Sequence, residues 1–172
     1  MKVGKAILST CILVAASVSF GWGIDNAVQI LGIKLGQDTV DQLNKWTDAT
    51  HERADNGNFA VKDFHLISTA PYAACLVNQA INVGYDYKSG VIHYVTFVLD
   101  ARLLGEKGSA CKTMAKNQID PYDDLSAFGM AMTHKNDGLI RAWLDEGGYA
   151  VVATDKAAIE NEKRKTGYGL HW

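Results

Sequence analysis

The sequence predicts an α+β domain with a mostly antiparallel sheet of about five to seven strands and two main helices packed on it, behind an N-terminal signal peptide. Three observations carry this expectation. Lys2 and Lys5 precede the uncharged, largely apolar run Ala6 to Phe20. Further along, apolar residues alternate with polar ones between turn-forming clusters, as in half-buried strands. Two stretches, after Asp38 and after Ser109, instead space their apolar residues for one face of a helix.

The apolar run is short for a bilayer span, which takes about 20 apolar residues, and right for a signal h-region. Small residues at Ser17, Ser19, Gly21 and Gly23 offer cleavage sites, so residues 1–23 read as the signal and 24–172 as one domain. Leu8-Ser9-Thr10-Cys11 looks like a lipobox, but Thr precedes the Cys and most of the apolar run follows it. No stable membrane span is expected once the signal is removed.

Within 24–172 the expected order is β-α-β-β-β-α-β-β-β. Val28, Ile30, Ile33 and Leu35 make a first strand ended by Gly36; Asp38 caps a helix carrying Val40, Leu43 and Trp46, stopped by Asp55-Asn56-Gly57-Asn58. Phe59 to Ser68 is the next strand. The long hairpin Leu76 to Asp100 turns at Lys88-Ser89-Gly90, and its second strand is apolar on both faces, so it is central and covered. A helix from Ser109 turns Cys111, Met114 and Ala115 to the core and ends before Asp120-Pro121. Leu125 to Met132 is a strand, and Leu139 to Leu144 with Tyr149 to Ala153 form a second hairpin around Glu146-Gly147-Gly148. Thr154 caps a short polar helix, Asp155 to Lys165, which has too little apolar surface to be other than peripheral, and an aromatic tail closes residues 155–172.

Ile30-Leu31-Gly32-Ile33-Lys34-Leu35-Gly36, running into an amphipathic helix, resembles the opening of many small exported bacterial α+β proteins, in which further strands include a Trp-bearing one, here that of Trp143. The resemblance spans roughly residues 28–154. It implies a periplasmic or secreted location and this type of fold, and no catalytic residue carries over with it.

With 48% hydrophobic and 21% charged residues the chain is neither disordered, collagenous nor a coiled coil. A formal charge of −2 offers no basic face for nucleic acid, and loss of the signal leaves 15 basic against 19 acidic residues. Cys75 and Cys111 then remain as a pair, which an oxidising compartment turns into one disulfide. Closing a loop of that length is worth about 4 kcal/mol on the chain-entropy model.

Candidate chemistry is sparse. His51 and Asp55 would share a face of the first helix, but a zinc-protease helix needs a second His at the later place. His93 falls in the central strand on the face of Val91 and Val95, where a hydrogen-bonded core role is expected. The acidic turn Asp120, Asp123 and Asp124 lacks the EF-hand pattern. No GxSxG, GxGxxG or phosphate-loop motif occurs, and Glu162-Lys163-Arg164-Lys165 is a solvated helix face. The alternating tail Tyr168-Gly169-Leu170-His171-Trp172 has the look of a last barrel strand, but the same face continues back through Thr166, Arg164 and Glu162, whose charges do not suit lipid.

The function expected is therefore binding rather than turnover: an exported envelope protein that inhibits or neutralises a cell-wall hydrolase or toxin, without metal or cofactor, with Tyr168 and Trp172 as aromatic anchors. Its partner is another envelope protein, and a basic one would be steered by the acidic charge. The alternative is a small hydrolase or a metal or small-ligand carrier whose site is assembled from the dispersed His51, His93 and His134 and the acidic turn.

Overall fold

A computed structural model describes residues 27–54, 59–100, 102, 110–119, 130–135, 138–145 and 148–166. Alternating apolar residues build a seven-stranded sheet in which every neighbouring pair is antiparallel. In chain order the strands are a small hairpin, β1 (Gln29–Ile30) and β2 (Ile33–Lys34), followed by β3 (Thr47–Ala54), β4 (Phe59–Leu66), β5 (Leu76–Asp86), β6 (Ile92–Asp100), β7 (Met130–Lys135), β8 (Gly138–Asp145) and β9 (Gly148–Asp155). The helices are α1 (Val40–Leu43), α2 (Ala110–Gln118) and α3 (Lys156–Thr166). The large sheet runs β3-β4-β5-β6-β9-β8-β7, so β6 is central and the chain reaches β9 only after laying β7 and β8 at the far edge. The expected α+β fold is the one observed. Among the described residues no helix is long and apolar enough to cross a membrane.

One row of side chains from the sheet forms the main core: Phe64 and Leu66 of β4, Ile81 and Val83 of β5, Val95, Phe97 and Leu99 of β6, with Ile140 and Val151 beyond them. The same cluster contains Val28, Ile30 and Ile33 of the small hairpin, Leu43 of α1, and Cys111, Met114 and Ala115 of α2. The three α2 residues lie one turn apart, so the helix presents one apolar edge to the sheet. Cys75 and Cys111 form the expected disulfide, with Cα atoms 5.3 Å apart, tying α2 to the start of β5. Gln118 at the end of α2 accepts a hydrogen bond from the Leu31 N–H at 2.7 Å, which fixes the hairpin turn to the same helix. The polar α3 packs on β9, β8 and β6 and, among its described side chains, buries only Ala158 and Asn161.

Four expectations are corrected. The first strand is a hairpin, because Leu31 and Gly32 both take positive φ (54° and 80°) and reverse the chain. The helix expected from Asp38 through Asp55 is only α1 and a 3₁₀ turn at Asn44–Trp46; Thr47–Ala54 pairs along β4 instead. A four-residue helix has almost no cooperativity, whereas Thr47 to Ala54 gains a full ladder. Asp38 is not its cap either: Asp38 accepts from the Lys34 N–H, while Thr39 N–H donates to Gln42 at N3. The strand expected at 125–132 is β7, from Met130 to Lys135; residues 120–129 are outside the described residues.

β5 departs from regularity near the disulfide. Its register against β6 jumps between Leu76 and Ile81, and Asn78 and Gln79 both have positive φ, 55° and 53°. At Gly148, where β9 begins, an added Cβ would lie 1.9 Å from the Leu99 carbonyl oxygen of β6.

Two outcomes test this architecture. Reducing the disulfide should lower unfolding stability by about 4 kcal/mol, read as a shift of the urea midpoint with and without reductant. Gly148→Ala should destabilise far more than Gly32→Ala, since Gly32 has nothing within 4 Å and carries only its backbone cost, about 1 kcal/mol. Thermal melts of the two variants compare them directly.

Candidate functional site

The site arises from how β6 is paired. On one side β6 follows β5. On the other it has two partners in succession. At its start the segment 36–40 runs alongside: Gly36 N–H donates to the Ile92 carbonyl at 2.7 Å, Ile92 N–H donates to the Asp38 carbonyl at 2.9 Å, and Val40 N–H donates to the Gly90 carbonyl at 2.9 Å. From Tyr94 onward the partner is β9, beginning with the pair Tyr94 and Thr154. His93 stands where one partner ends and the other begins.

A β-bulge marks the change. Against β5, Ile92 faces Tyr85 and Tyr94 faces Gly84, which leaves His93 as an extra residue. Sequence alternation places His93 on the face of Val91 and Val95, and the bulge overturns that. Ile92 fills the core place, fully buried, while His93 stacks on Phe59 with ring centroids 4.8 Å apart. Gly84 is required beside it, because an added Cβ would lie within 2.4 Å of three atoms of the Tyr94 ring.

Asp155, the last residue of β9, meets His93 across the change of partner. His93 Nδ1 is 2.7 Å from Asp155 Oδ2, with the two side chains 15% and 9% exposed. A carboxylate accepts and does not donate, so the hydrogen of this bond is on Nδ1 and Nε2 is the open atom of the ring. The other oxygen, Oδ1, accepts from the Ala158 N–H at 2.8 Å and so caps α3. Asp155, rather than the expected Thr154, is therefore the cap; Thr154 Oγ1 donates to the Leu139 carbonyl. Gly36, with φ at +78°, approaches so closely that a Cβ there would sit 3.2 Å from Asp155 Oδ2.

An open cavity of about 480 Å³ lies over this pair, between residues 27 and 35–37 on one side and the first turns of α3 on the other. His93, Asp155, Gln37, Lys156 and Glu160 supply its polar atoms, and Ala27, Leu35 and Ala157 its apolar walls. Chemically, an imidazole oriented by a carboxylate presents a hydrogen-bonding nitrogen of defined direction, the arrangement of a base or a ligand-holding group.

Of the other candidates, His51 and His134 do not join it. His51 is on β3 and His134 on β7, opposite edges of the sheet, about 29 Å apart by strand spacing, with His93 between them. The site of dispersed histidines is thus not assembled. His51 is on a strand rather than a helix, so no helical spacing links it to Asp55; Asp55 is outside the described residues, as are Asp120, Asp123, Asp124, Tyr168 and Trp172. His134 is exposed, and His65 pairs with Asp48 at 2.8 Å on the surface. Among the described residues no group of three His, Cys, Asp or Glu is placed to hold a metal.

A second feature is apolar. Register places Met132 opposite Arg141 and Met130 opposite Trp143, so Met132, Arg141 and Trp143 share a face of β7 and β8. Met132 is 49% exposed and Trp143 38%. Burial lowers the Arg141 guanidinium, and Glu162 of α3 acts in the opposite sense. β7 ends the sheet order, so its outer side faces no other described strand.

Near His93, the turn after β5 is held by one carboxylate: Asp86 Oδ1 accepts from the Lys88 and Ser89 N–H groups and from the Ser89 hydroxyl. The Ser89 N–H and then its hydroxyl hold Asp86 below the ordinary carboxylate range. A depressed carboxylate contributes stability above the unfolded value and loses it as pH falls through the folded one. Ser89→Ala should therefore destabilise at neutral pH, and the difference from the unaltered protein should vanish under strong acid, checked by melts across pH. Asp155→Ala should cost at least about 1 kcal/mol through loss of the α3 cap and should change the His93 ring tautomer, seen by nitrogen NMR.

Comparison with protein-family models, with curated proteins and with solved structures finds no match to this chain.

Proposed function

We propose that this chain is an exported binding protein of the bacterial envelope that acts by occupying another protein and not by turnover. The observation that carries the reading is the exposed apolar face at the outer edge of the sheet, where Met132 and Trp143 flank Arg141 beside the edge strand β7. Trp and Arg are enriched at binding hot spots and Met at interfaces, and a sheet edge offers backbone groups for an added strand. The disulfide and the signal-like residues 1–23 support an oxidising location outside the cytoplasm. The acidic balance of the chain favours a basic partner, and inhibition of a cell-wall hydrolase or a toxin is the role this combination suits.

A second reading, a small-ligand carrier or hydrolase, is favoured by one observation: His93 is oriented by Asp155 at the floor of a cavity.

Retention from envelope extract on the immobilised chain tests the first reading. The expected outcome is a basic envelope protein whose affinity falls at least about tenfold on Trp143→Ala, with the melting temperature unchanged. Equal affinity of the Trp143→Ala variant, or the retention of no protein at all, would refute it.

A further inference from the structure

We propose that the cavity over His93 and Asp155 binds a small neutral polyhydroxylated molecule, of the size and chemistry of a sugar. This rests on the second reading above, that the cavity takes a ligand, and names the ligand's class.

Charge narrows the class. Asp155 keeps its negative charge, but its side chain is 9% exposed and both its oxygens are engaged within the protein, one by His93 and one by the Ala158 N–H. Among the described lining residues the exposed charges are one cation, Lys156, and one anion, Glu160. They are four residues apart on α3, so their heads stand on one side of the helix. An anionic ligand would meet Glu160 with Asp155 beneath it, and a cationic one would meet the Lys156 head already set beside those carboxylates. A neutral ligand meets no such conflict.

The donor and acceptor pattern gives the chemistry. Lys156 only donates, Glu160 only accepts, and His93 Nε2 offers one further hydrogen-bonding atom of fixed direction. Hydroxyl groups both donate and accept, so several on one scaffold satisfy this mixed rim without regard to order. The walls between are small and apolar, Ala27, Leu35 and Ala157, which suit the C–H faces of a sugar ring. At about 480 Å³ the cavity is within the usual range for small-molecule sites. The floor is kept open by Gly36, where any side chain would press on Asp155.

The test compares three probes of equal ring size: glucose, glucosamine and glucuronate. Each is titrated into the purified chain while the His93 ring signals are followed by NMR, assigned by their absence from the His93→Gln variant. Glucose is expected to shift them saturably in the millimolar range, with both charged probes weaker. Glu160→Leu, on the exposed side of α3, should weaken glucose about fivefold without changing the melting temperature. If glucosamine or glucuronate binds as well as glucose or better, the neutral class is wrong while the cavity remains a ligand site. If none of the three moves the His93 signals up to tenth-molar concentration, both the class and the ligand-site reading fall. If Glu160→Leu binds glucose unchanged, the assigned rim is wrong.

Discussion

The change of partner along β6 is the constraint on which the site depends. A central strand must satisfy backbone groups on both sides, and none can be left unpaired in the interior without a cost of about 1–3 kcal/mol. β9 pairs only from Tyr94 on, so the groups of Ile92 are taken by Gly36 and Asp38. Two different backbones then approach one strand, and they cannot share its register. The extra residue, His93, absorbs the mismatch. Its side chain leaves the core row, and the gap between the two partners is the cavity.

The small hairpin and α2 hold that arrangement from the core side. The hairpin buries Val28, Ile30 and Ile33 and delivers Gly36 to β6. Its turn is bound by Gln118, and α2 is itself tied to β5 through Cys75–Cys111. The disulfide thus acts over a distance: it restrains the helix that restrains the turn of the hairpin whose continuation pairs with Ile92. On the other flank Asp155 links β9, α3 and His93 in one carboxylate. The cavity is bounded by elements each fixed at two points, which is the physical basis for a site held in place rather than formed on demand.

The two candidate surfaces are served by the same crossover. Because β9 returns beside β6, β7 and β8 are carried to the outer edge, where Met132 and Trp143 stay exposed. The polar helix α3 lies over β9 and reaches β8 through Glu162 and Arg141, but it buries little apolar surface. An exposed Trp and Met beside an edge strand are an aggregation hazard unless another molecule covers them, which is why the binding reading rests there.

Much of the sheet was legible in the residues. Period-2 alternation placed β5, a run apolar on both faces placed β6, apolar stretches bounded by turn residues placed β4, β8 and β9, and two cysteines in a chain with a signal-like start could pair only one way. The edge of α2 was equally plain, since Cys111, Met114 and Ala115 fit one helical face. These features are local, or depend only on burial, and a single sequence states them. β3 was misread because Val40, Leu43 and Trp46 do suit a helix, and only the ladder offered by β4 made the strand the better choice for Thr47 to Ala54. The His93–Asp155 pair joins residues 62 positions apart. It requires a bulge that alternation cannot foresee and a cap one residue later than expected. Tertiary structure decided both, because the register of β6 was set by which backbones lay beside it and not by its own side chains.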